Sequence, residues 1–153
     1  MSTRLSEAYT AFLAPHPWQI FLTLTFDRNR SVPQFGLLPQ CADRAFRRLV
    51  LFFNQRLYGR RYRRTTRHKG VVWARVAEAH GDGVLHFHAV LYSPSKPLPD
   101  ELIDTAGQWW EARYGLAKAE TPRSRTDVLR YLTKHVGGEH AEFDFSWNFN
   151  RQE

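Results

Sequence analysis

The chain has 153 residues, of which 42% are hydrophobic and 14% aromatic, and it carries a formal net charge of +7. This length and composition predict one folded domain over residues 1–153 and exclude an intrinsically disordered chain. Cys41 is the single cysteine, so an intrachain disulfide is excluded. No apolar run reaches membrane-spanning length, and the N-terminus has no signal-peptide core. These features predict a cytoplasmic protein without a membrane partner.

The first half of the chain predicts a short helix, one strand and a longer helix. Residues 6–13 favour a helix that Pro15 ends, and residues 21–26 mix apolar and β-branched side chains, as a strand does. Residues 27–39 contain proline, glycine and asparagine and predict a loop. Apolar residues then recur at helical spacing, with Gly59 as the expected C-terminal cap: Ala42, Phe46, Leu49, Val50, Phe53 and Leu57.

A strongly basic segment follows this helix and accounts for the whole net charge. Seven of the 22 basic residues lie between Arg56 and Lys69 without an acid, and the other 15 balance the 15 acidic residues. The segment contains Arg56, Arg60, Arg61, Arg63, Arg64, Arg67 and Lys69, together with Tyr58, Tyr62 and His68. Such a cluster predicts contacts with a polyanion, with bases stacking on the aromatic rings; the alternative is a solvated loop whose charge serves solubility.

The second half predicts a hairpin, two helices and two further strands. Residues 70–79 and 85–91 form the hairpin around a Gly-Asp-Gly turn at residues 81–83. The helix beginning at Pro99 carries acids in its first turn and ends at Gly115. The remaining elements are a strand over residues 116–121, a helix over 127–136 and a strand over 143–149. About five strands without strict βα alternation favour an antiparallel α+β fold.

The histidine-bearing strand, Leu-His-Phe-His-Ala-Val-Leu at residues 85–91, is the most informative feature of the chain. Because side chains alternate along a strand, His86 and His88 lie on one face, beside each other. Two neighbouring imidazoles can bind one metal ion, and two nitrogens with one carboxylate leave coordination positions open. We therefore predict a metal site of the catalytic rather than the structural kind.

The third ligand of this predicted site depends on the length of the hairpin loop. If residues 81–83 form a three-residue loop, Glu78 lies directly across the ladder from His86, on the same face. A two-residue loop would instead place Glu78 opposite Phe87, on the wrong face. His80 shares the favourable face near the hairpin tip, so Glu78 and His80 are both candidates.

The helix predicted over residues 127–136 supplies a candidate nucleophile. Tyr131 lies beside the apolar stripe of this helix, and Lys134 and His135 follow it one helical turn later. A phenol with a pKa of about 10 is a weak nucleophile unless a cation or base assists loss of its proton. Lys134 and a metal ion would both favour the phenolate, whereas the simplest alternative is a half-exposed packing tyrosine.

Three segments together resemble the HUH endonucleases, and in particular the single-tyrosine initiators of rolling-circle replication. Phe-Leu-Thr-Leu-Thr-Phe at residues 21–26 looks like the first family motif, and His86-Phe87-His88 looks like the His-hydrophobic-His motif. Tyr131-Leu132-Thr133-Lys134 looks like the third motif, Tyr-x-x-Lys. The motifs stand in the family order over residues 20–136. The resemblance implies a five-stranded antiparallel sheet flanked by helices, with a ferredoxin- or RRM-like layout.

The resemblance also implies a chemistry. It is metal-dependent cutting of single-stranded DNA, in which Tyr131 forms a 5′-phosphotyrosine link that a 3′-hydroxyl can later reverse. The implied ligands of Mg²⁺ or Mn²⁺ are Glu78, His86 and His88. Lys134 is expected to orient or screen the tyrosine and the phosphate, and His135 is a possible further ligand or DNA contact.

The implied substrate is the single-stranded loop of an origin hairpin. The residues expected to follow its phosphate backbone are Arg60, Arg61, Arg63, Arg64, Arg67, Lys69, Arg123, Arg125 and Arg130. Thr23 and Thr25, in the first motif, are assigned no catalytic role. Because the chain ends soon after the tyrosine helix, we expect a host helicase to be recruited separately.

Three other functions compete with this interpretation. A single-tyrosine transposase of the same superfamily typically has glutamine four residues after the tyrosine, where this chain has His135, and Lys134 favours the initiator. A non-catalytic nucleic-acid-binding module on an RRM-like sheet fits the composition equally well. A zinc hydrolase unrelated to nucleic acid would need more ligands at metal-site spacing.

Overall fold

The computed structural model describes residues 3–27, 29, 38–62, 70–79, 83–124, 126–127, 130–132 and 141–151. The elements are α1 (Thr3–Leu13), β1 (Ile20–Thr25), α2 (Pro39–Tyr58), β2 (Val72–Ala79), β3 (Leu85–Tyr92), α3 (Asp100–Glu111), β4 (Ala117–Glu120) and β5 (Glu142–Phe145), followed by a 3₁₀ turn at Phe149–Arg151. Between β4 and β5, residues 126–127 and 130–132 are helical. In these described ranges, no helix combines the length and the apolar character needed to cross a membrane.

The five strands form one antiparallel sheet in the order β4-β1-β3-β2-β5. The succession β1-α2-β2-β3-α3-β4 is the βαββαβ arrangement of ferredoxin-like folds, and β5 extends the sheet beyond β2. The predicted α+β fold with a five-stranded antiparallel sheet is therefore confirmed. Because β1 and β3 are interior neighbours, the first motif and the two histidines lie side by side in the middle of the sheet.

The alternation of side chains divides the apolar residues between two cores, one on each face of the sheet. One core lies against α2 and α3, where Phe46, Phe53 and Trp110 are fully buried. Burial of each such side chain stabilises the fold by about 1.5–3 kcal/mol. The other core includes residues of α1, Val90 of β3 and Leu132. α1 and the segment that carries the candidate tyrosine therefore cover the histidine face of the sheet.

The end of β1 is tied to the connection between α3 and β4. The Thr25 carbonyl accepts a hydrogen bond from the Trp110 indole (3.0 Å), and the Thr25 hydroxyl accepts one from the Leu116 amide (3.0 Å). Gly115 passes so close to the strand that a Cβ there would collide with the Thr25 carbonyl. These contacts hold β1 in a defined position beside β3.

The last strand is shorter than the predicted span of residues 143–149. β5 ends at Phe145, and the next residue, Ser146, bonds to Trp73 through its amide (2.9 Å) and through its hydroxyl (3.1 Å). A serine hydroxyl thus takes the place of a ladder hydrogen bond, and the chain turns. The sequence has an aromatic residue at every second position as far as Phe149, but Phe149 is buried in the core from the turn that follows the strand and does not belong to β5. The other predicted strands agree with the observed ones within two residues at each end.

Candidate metal centre and nucleophile

The two histidines of β3 are buried polar side chains on the face of the sheet that α1 covers. His86 is 8% exposed and His88 is 7% exposed, and their ring centroids lie 4.8 Å apart. Phe87 and Ala89, which alternate with them, face the opposite core. The strand period therefore brings both imidazoles together, as predicted, and buried imidazoles need polar partners.

Glu78 of β2 completes a cluster with these histidines. The observed register places Glu78 directly opposite His86, as expected for an odd-length hairpin loop. Oε2 of Glu78 lies 3.1 Å from Nε2 of His86 and 3.6 Å from Nε2 of His88. One ligand atom from each of the three residues lies within 4.8 Å of the other two. Of the two candidate third ligands, the structure brings Glu78 to the histidines, whereas His80 lies outside the described residues.

Tyr131 reaches this cluster from the helical segment between β4 and β5. Its hydroxyl oxygen lies 3.1 Å from Nδ1 of His88, and the two rings meet edge to face. Leu132 is fully buried, and the ring of Phe21 packs against that of Tyr131 at a centroid distance of 4.6 Å. His88 therefore faces Glu78 with one ring nitrogen and Tyr131 with the other.

Thr23 of β1 makes a contact that the sequence interpretation missed. Its Oγ1 lies 2.6 Å from the Tyr131 hydroxyl oxygen, and it stands opposite His88 in the register of β1 and β3. The available signal was a hydroxyl in the middle of a largely apolar strand, where a polar group facing a core needs a partner. Local periodicity does not identify that partner, because 108 positions separate the two residues.

A lysine outside the family motifs also lies near the tyrosine. Lys118 of β4 stands opposite Thr23 and therefore on the same face of the sheet. The hydrogen bond from Lys118 to Glu120 (2.9 Å) and the charge of Glu120 raise the pKa of the lysine, and the charge of ionised Tyr131 raises that pKa further. Lys118 thus contributes exposed positive charge beside the candidate nucleophile.

The arginines predicted to follow DNA fall into two places. Arg123 and Arg130 are exposed on the stretch that leads from β4 to the tyrosine. Arg60 and Arg61 are also exposed, but they follow α2, which packs on the opposite face of the sheet. Tyr62 is only 8% exposed, so the expectation that it stacks with a base is not supported.

Several predicted site residues fall outside the described part of the chain. They are Arg63, Arg64, Arg67, Lys69, His80, Arg125, Lys134 and His135, together with His68 of the basic segment. Their roles stay predictions.

The donor set of the cluster fits a divalent cation. Two imidazole nitrogens and one carboxylate oxygen can bind a single ion, and three protein ligands leave positions open for substrate or water. Carboxylates and imidazoles are both ligands of divalent cations, so the donor set is compatible with a divalent ion without identifying it. The hydroxyl of Tyr131 stands next to this cluster, so the candidate nucleophile adjoins the candidate cation site.

A comparison with protein families identifies the family of the chain. The chain matches the family model described as replication-associated protein ORF2 over residues 19–139, which is well over half of its length. Neither the curated proteins nor the solved structures gave a match. The matched region includes β1, the histidine hairpin and the tyrosine. The chain therefore belongs to this replication-associated protein family, a rolling-circle replication initiator family of the HUH endonuclease type.

Proposed function

We propose that the chain cuts and rejoins single-stranded DNA at a replication origin, through a metal-dependent reaction with a 5′-phosphotyrosine intermediate. Its family indicates a role in replication initiation. The observation that carries the proposed chemistry is the Tyr131 hydroxyl, 3.1 Å from Nδ1 of His88, whose Nε2 faces Glu78. A nucleophile on one side of this imidazole and a carboxylate on the other suit phosphoryl transfer.

Glu78, His86 and His88 would hold the Mg²⁺ or Mn²⁺ ion. When bound, the ion supplies positive charge that polarises the scissile phosphate. The contribution of the chain is to keep one carboxylate and two imidazoles within 4.8 Å of one another. Because both histidines are buried on an interior strand, their rings need little reorganisation to bind a cation.

Tyr131 would perform the exchange of phosphoesters. A bond forms between its Oη and the phosphorus while the bond from phosphorus to the 3′ oxygen breaks. The phenol loses its proton and the departing 3′ oxygen gains one, which leaves a 5′-phosphotyrosine and a free 3′-hydroxyl. Because one phosphoester replaces another, a 3′-hydroxyl can reverse the step and rejoin the strand. Lys134 would orient the tyrosine, and Lys118 adds positive charge on the same face.

The proposed substrate is origin DNA in the single-stranded loop of a hairpin. Arg123 and Arg130 are exposed on the stretch around the tyrosine and would bind phosphates near the cut. The basic segment that begins at Arg60 follows a helix on the opposite face, so it would bind a more distant part of the backbone. A host helicase would then unwind the nicked duplex.

A covalent-adduct assay tests this proposal. The protein is mixed with hairpin DNA whose single-stranded loop is randomised, in the presence of Mn²⁺, and the mixture is separated on a denaturing gel. We expect a band of reduced mobility, which contains the covalent protein–DNA adduct. This band should be absent with EDTA and in the Tyr131→Phe variant. Tyr92→Phe is the matched control, because Tyr92 also hydrogen-bonds to a histidine (His16, 2.8 Å) but lies away from the cluster.

Two results would contradict the proposal. An adduct that persists in Tyr131→Phe would show that another residue is the nucleophile. Tight, salt-sensitive DNA binding by the wild type without any adduct would indicate a non-catalytic nucleic-acid-binding module.

A further inference from the structure

Thr23 contacts the proposed nucleophile from an interior strand. Its Oγ1 lies 2.6 Å from the hydroxyl oxygen of Tyr131, and Nδ1 of His88 lies 3.1 Å from the same oxygen. The phenolic oxygen is therefore held between polar atoms of two neighbouring strands, β1 and β3.

The hydroxyl of Thr23 is itself well positioned. Thr23 pairs with His88 on β3 and with Lys118 on β4, so the sheet holds its backbone from both sides. The branched Cβ of threonine restricts the χ1 angle, so the hydroxyl has few directions open to it. Tyr131, in contrast, projects from a helical segment, and its ring rests against Phe21. The strand is the better anchor for the phenolic oxygen.

We infer that Thr23 is a positioning residue that aims the hydroxyl of Tyr131 at the phosphate; this inference rests on the proposed function. Phe21 confines the ring of Tyr131. The hydrogen bond between the hydroxyls of Thr23 and Tyr131 sets the direction of the Tyr131 hydroxyl. A threonine hydroxyl both donates and accepts, so it stays a partner whether or not the phenol carries its proton. An attacking group displaced by about 1 Å can lose on the order of 100-fold in rate.

Three variants separate positioning from a purely structural role. Thr23→Val removes the hydroxyl at nearly constant shape, and we expect it to slow single-turnover cutting by about 10- to 100-fold. The dissociation constants for Mn²⁺ and for the DNA should change by less than about twofold, because Thr23 is neither a proposed metal ligand nor a proposed phosphate contact. Thr23→Ser retains the hydroxyl and should keep the rate within about threefold. Thr105→Val is the matched control, because it removes an exposed hydroxyl of α3, on the opposite face of the sheet, that donates to the Glu101 carbonyl (2.7 Å), and it should leave cutting within about twofold.

The contact can also be measured without any cutting. Denaturant midpoints of the wild type, Thr23→Val, Tyr131→Phe and the double variant form a cycle. We expect the shift in the double variant to be smaller than the sum of the single shifts, because either single change already breaks the contact. Additive shifts would overturn the inference, even if Thr23→Val proved too unstable for kinetics.

The outcomes distinguish this inference from the proposed function. If the wild type cuts and Thr23→Val cuts equally fast, the positioning role is overturned and the nicking function stands. A Thr23→Ser variant as slow as Thr23→Val would also overturn it, because the loss would then not depend on the hydroxyl. If the wild type forms no adduct at all, the proposed function fails, and the positioning role fails with it.

Discussion

Two hydrogen bonds between a histidine and a tyrosine lie on the same face of the sheet, in different surroundings. In one, Nδ1 of His88 lies 3.1 Å from the hydroxyl oxygen of Tyr131, and the carboxylate of Glu78 stands on the other side of the imidazole. In the other, at the far end of β3, Nδ1 of His16 lies 2.8 Å from the hydroxyl oxygen of Tyr92. The pairing of side chains is the same, so the surroundings must account for any difference in what each pair can do.

The pair of His16 and Tyr92 lies among aromatic rings. The ring centroids of Trp18 and Phe149 lie 5.2 Å and 3.9 Å from that of His16. Burial there lowers the pKa of His16 and raises the pKa of Tyr92 to about 12, so both groups stay neutral near pH 7. The His88–Tyr131 pair instead has the carboxylate of Glu78 beside it, with Oε2 3.6 Å from Nε2 of His88. The neighbouring carboxylate therefore distinguishes the His88–Tyr131 hydrogen bond, which we propose to be catalytic, from the His16–Tyr92 hydrogen bond among aromatic rings.

The largest expected effect comes from removing one hydroxyl from each pair. Tyr131→Phe should bind DNA normally but form no detectable cut product, because the attacking oxygen is gone. Tyr92→Phe should cut at nearly the wild-type rate. Single-turnover cutting and a filter-binding titration measure the two properties. Equal loss of cutting in both variants would remove the distinction between the pairs.

The next effect concerns metal affinity. His88→Ala should weaken Mn²⁺ binding by more than about 100-fold, because even residues that merely support a ligand cost about 10- to 100-fold when they are changed. His16→Gln should leave the Mn²⁺ affinity within about twofold. Titration calorimetry with Mn²⁺ alone measures both values, and circular dichroism confirms folding. Mn²⁺ binding that is unchanged in His88→Ala would contradict the metal site.

The pair of His16 and Tyr92 should make the free energy of unfolding depend on pH. Burial raises the folded-state pKa of Tyr92 to about 12, above the unfolded value of about 10, so its contribution is fully present below pH 10 and is lost as the pH approaches 12. That loss is on the order of 2 kcal/mol in the free energy of unfolding. For His16 the folded-state pKa is lowered, so its contribution is present above pH 6.5 and is lost as the pH falls through the folded value. Urea unfolding across pH should show a shallower alkaline decline in Tyr92→Phe, and parallel curves would argue against this burial effect.

The smallest effect concerns the positive charge of the exposed arginines near Tyr131, the candidate nucleophile. Arg123→Ala and Arg130→Ala should each lower DNA affinity by a modest factor and reduce the salt slope by about 0.7, because each removes about one phosphate contact to a single strand. Arg113→Ala is the control, since Arg113 follows α3 on the opposite face and packs over Trp109. Binding measured at several salt concentrations gives the slopes. Equal slopes for all three variants would mean that the DNA does not pass beside the tyrosine.

The site was most predictable where it depends on local rules. The period of two along β3 places His86 and His88 on one face, and an odd-length turn brings Glu78 opposite His86; the structure has this register. A slip of one residue would have moved the carboxylate to the other face. The C-terminal cap of α2 at Gly59 was predictable from a local rule too, because the positive φ of 87° at this position favours glycine.

Contacts between distant parts of the chain were not predictable in the same way. Thr23 and Tyr131 are 108 positions apart, and which hydroxyl meets which depends on how the tyrosine segment docks against β1. The burial of Tyr62 was also missed, because an aromatic residue among arginines has the composition of an exposed, basic surface. His16 gave no signal of its partner, since Tyr92 joins it only when α1 packs on the sheet.

The site of the covalent link tests the central claim most directly. The wild type is incubated with hairpin DNA and Mn²⁺, the adduct is digested with trypsin and nuclease, and the modified peptide is identified by mass spectrometry. We predict a nucleotide attached to Tyr131 and no modification of Tyr92. Attachment to Tyr92 or to any other residue, or no attachment in a preparation that cuts the DNA, would contradict the assignment of the nucleophile.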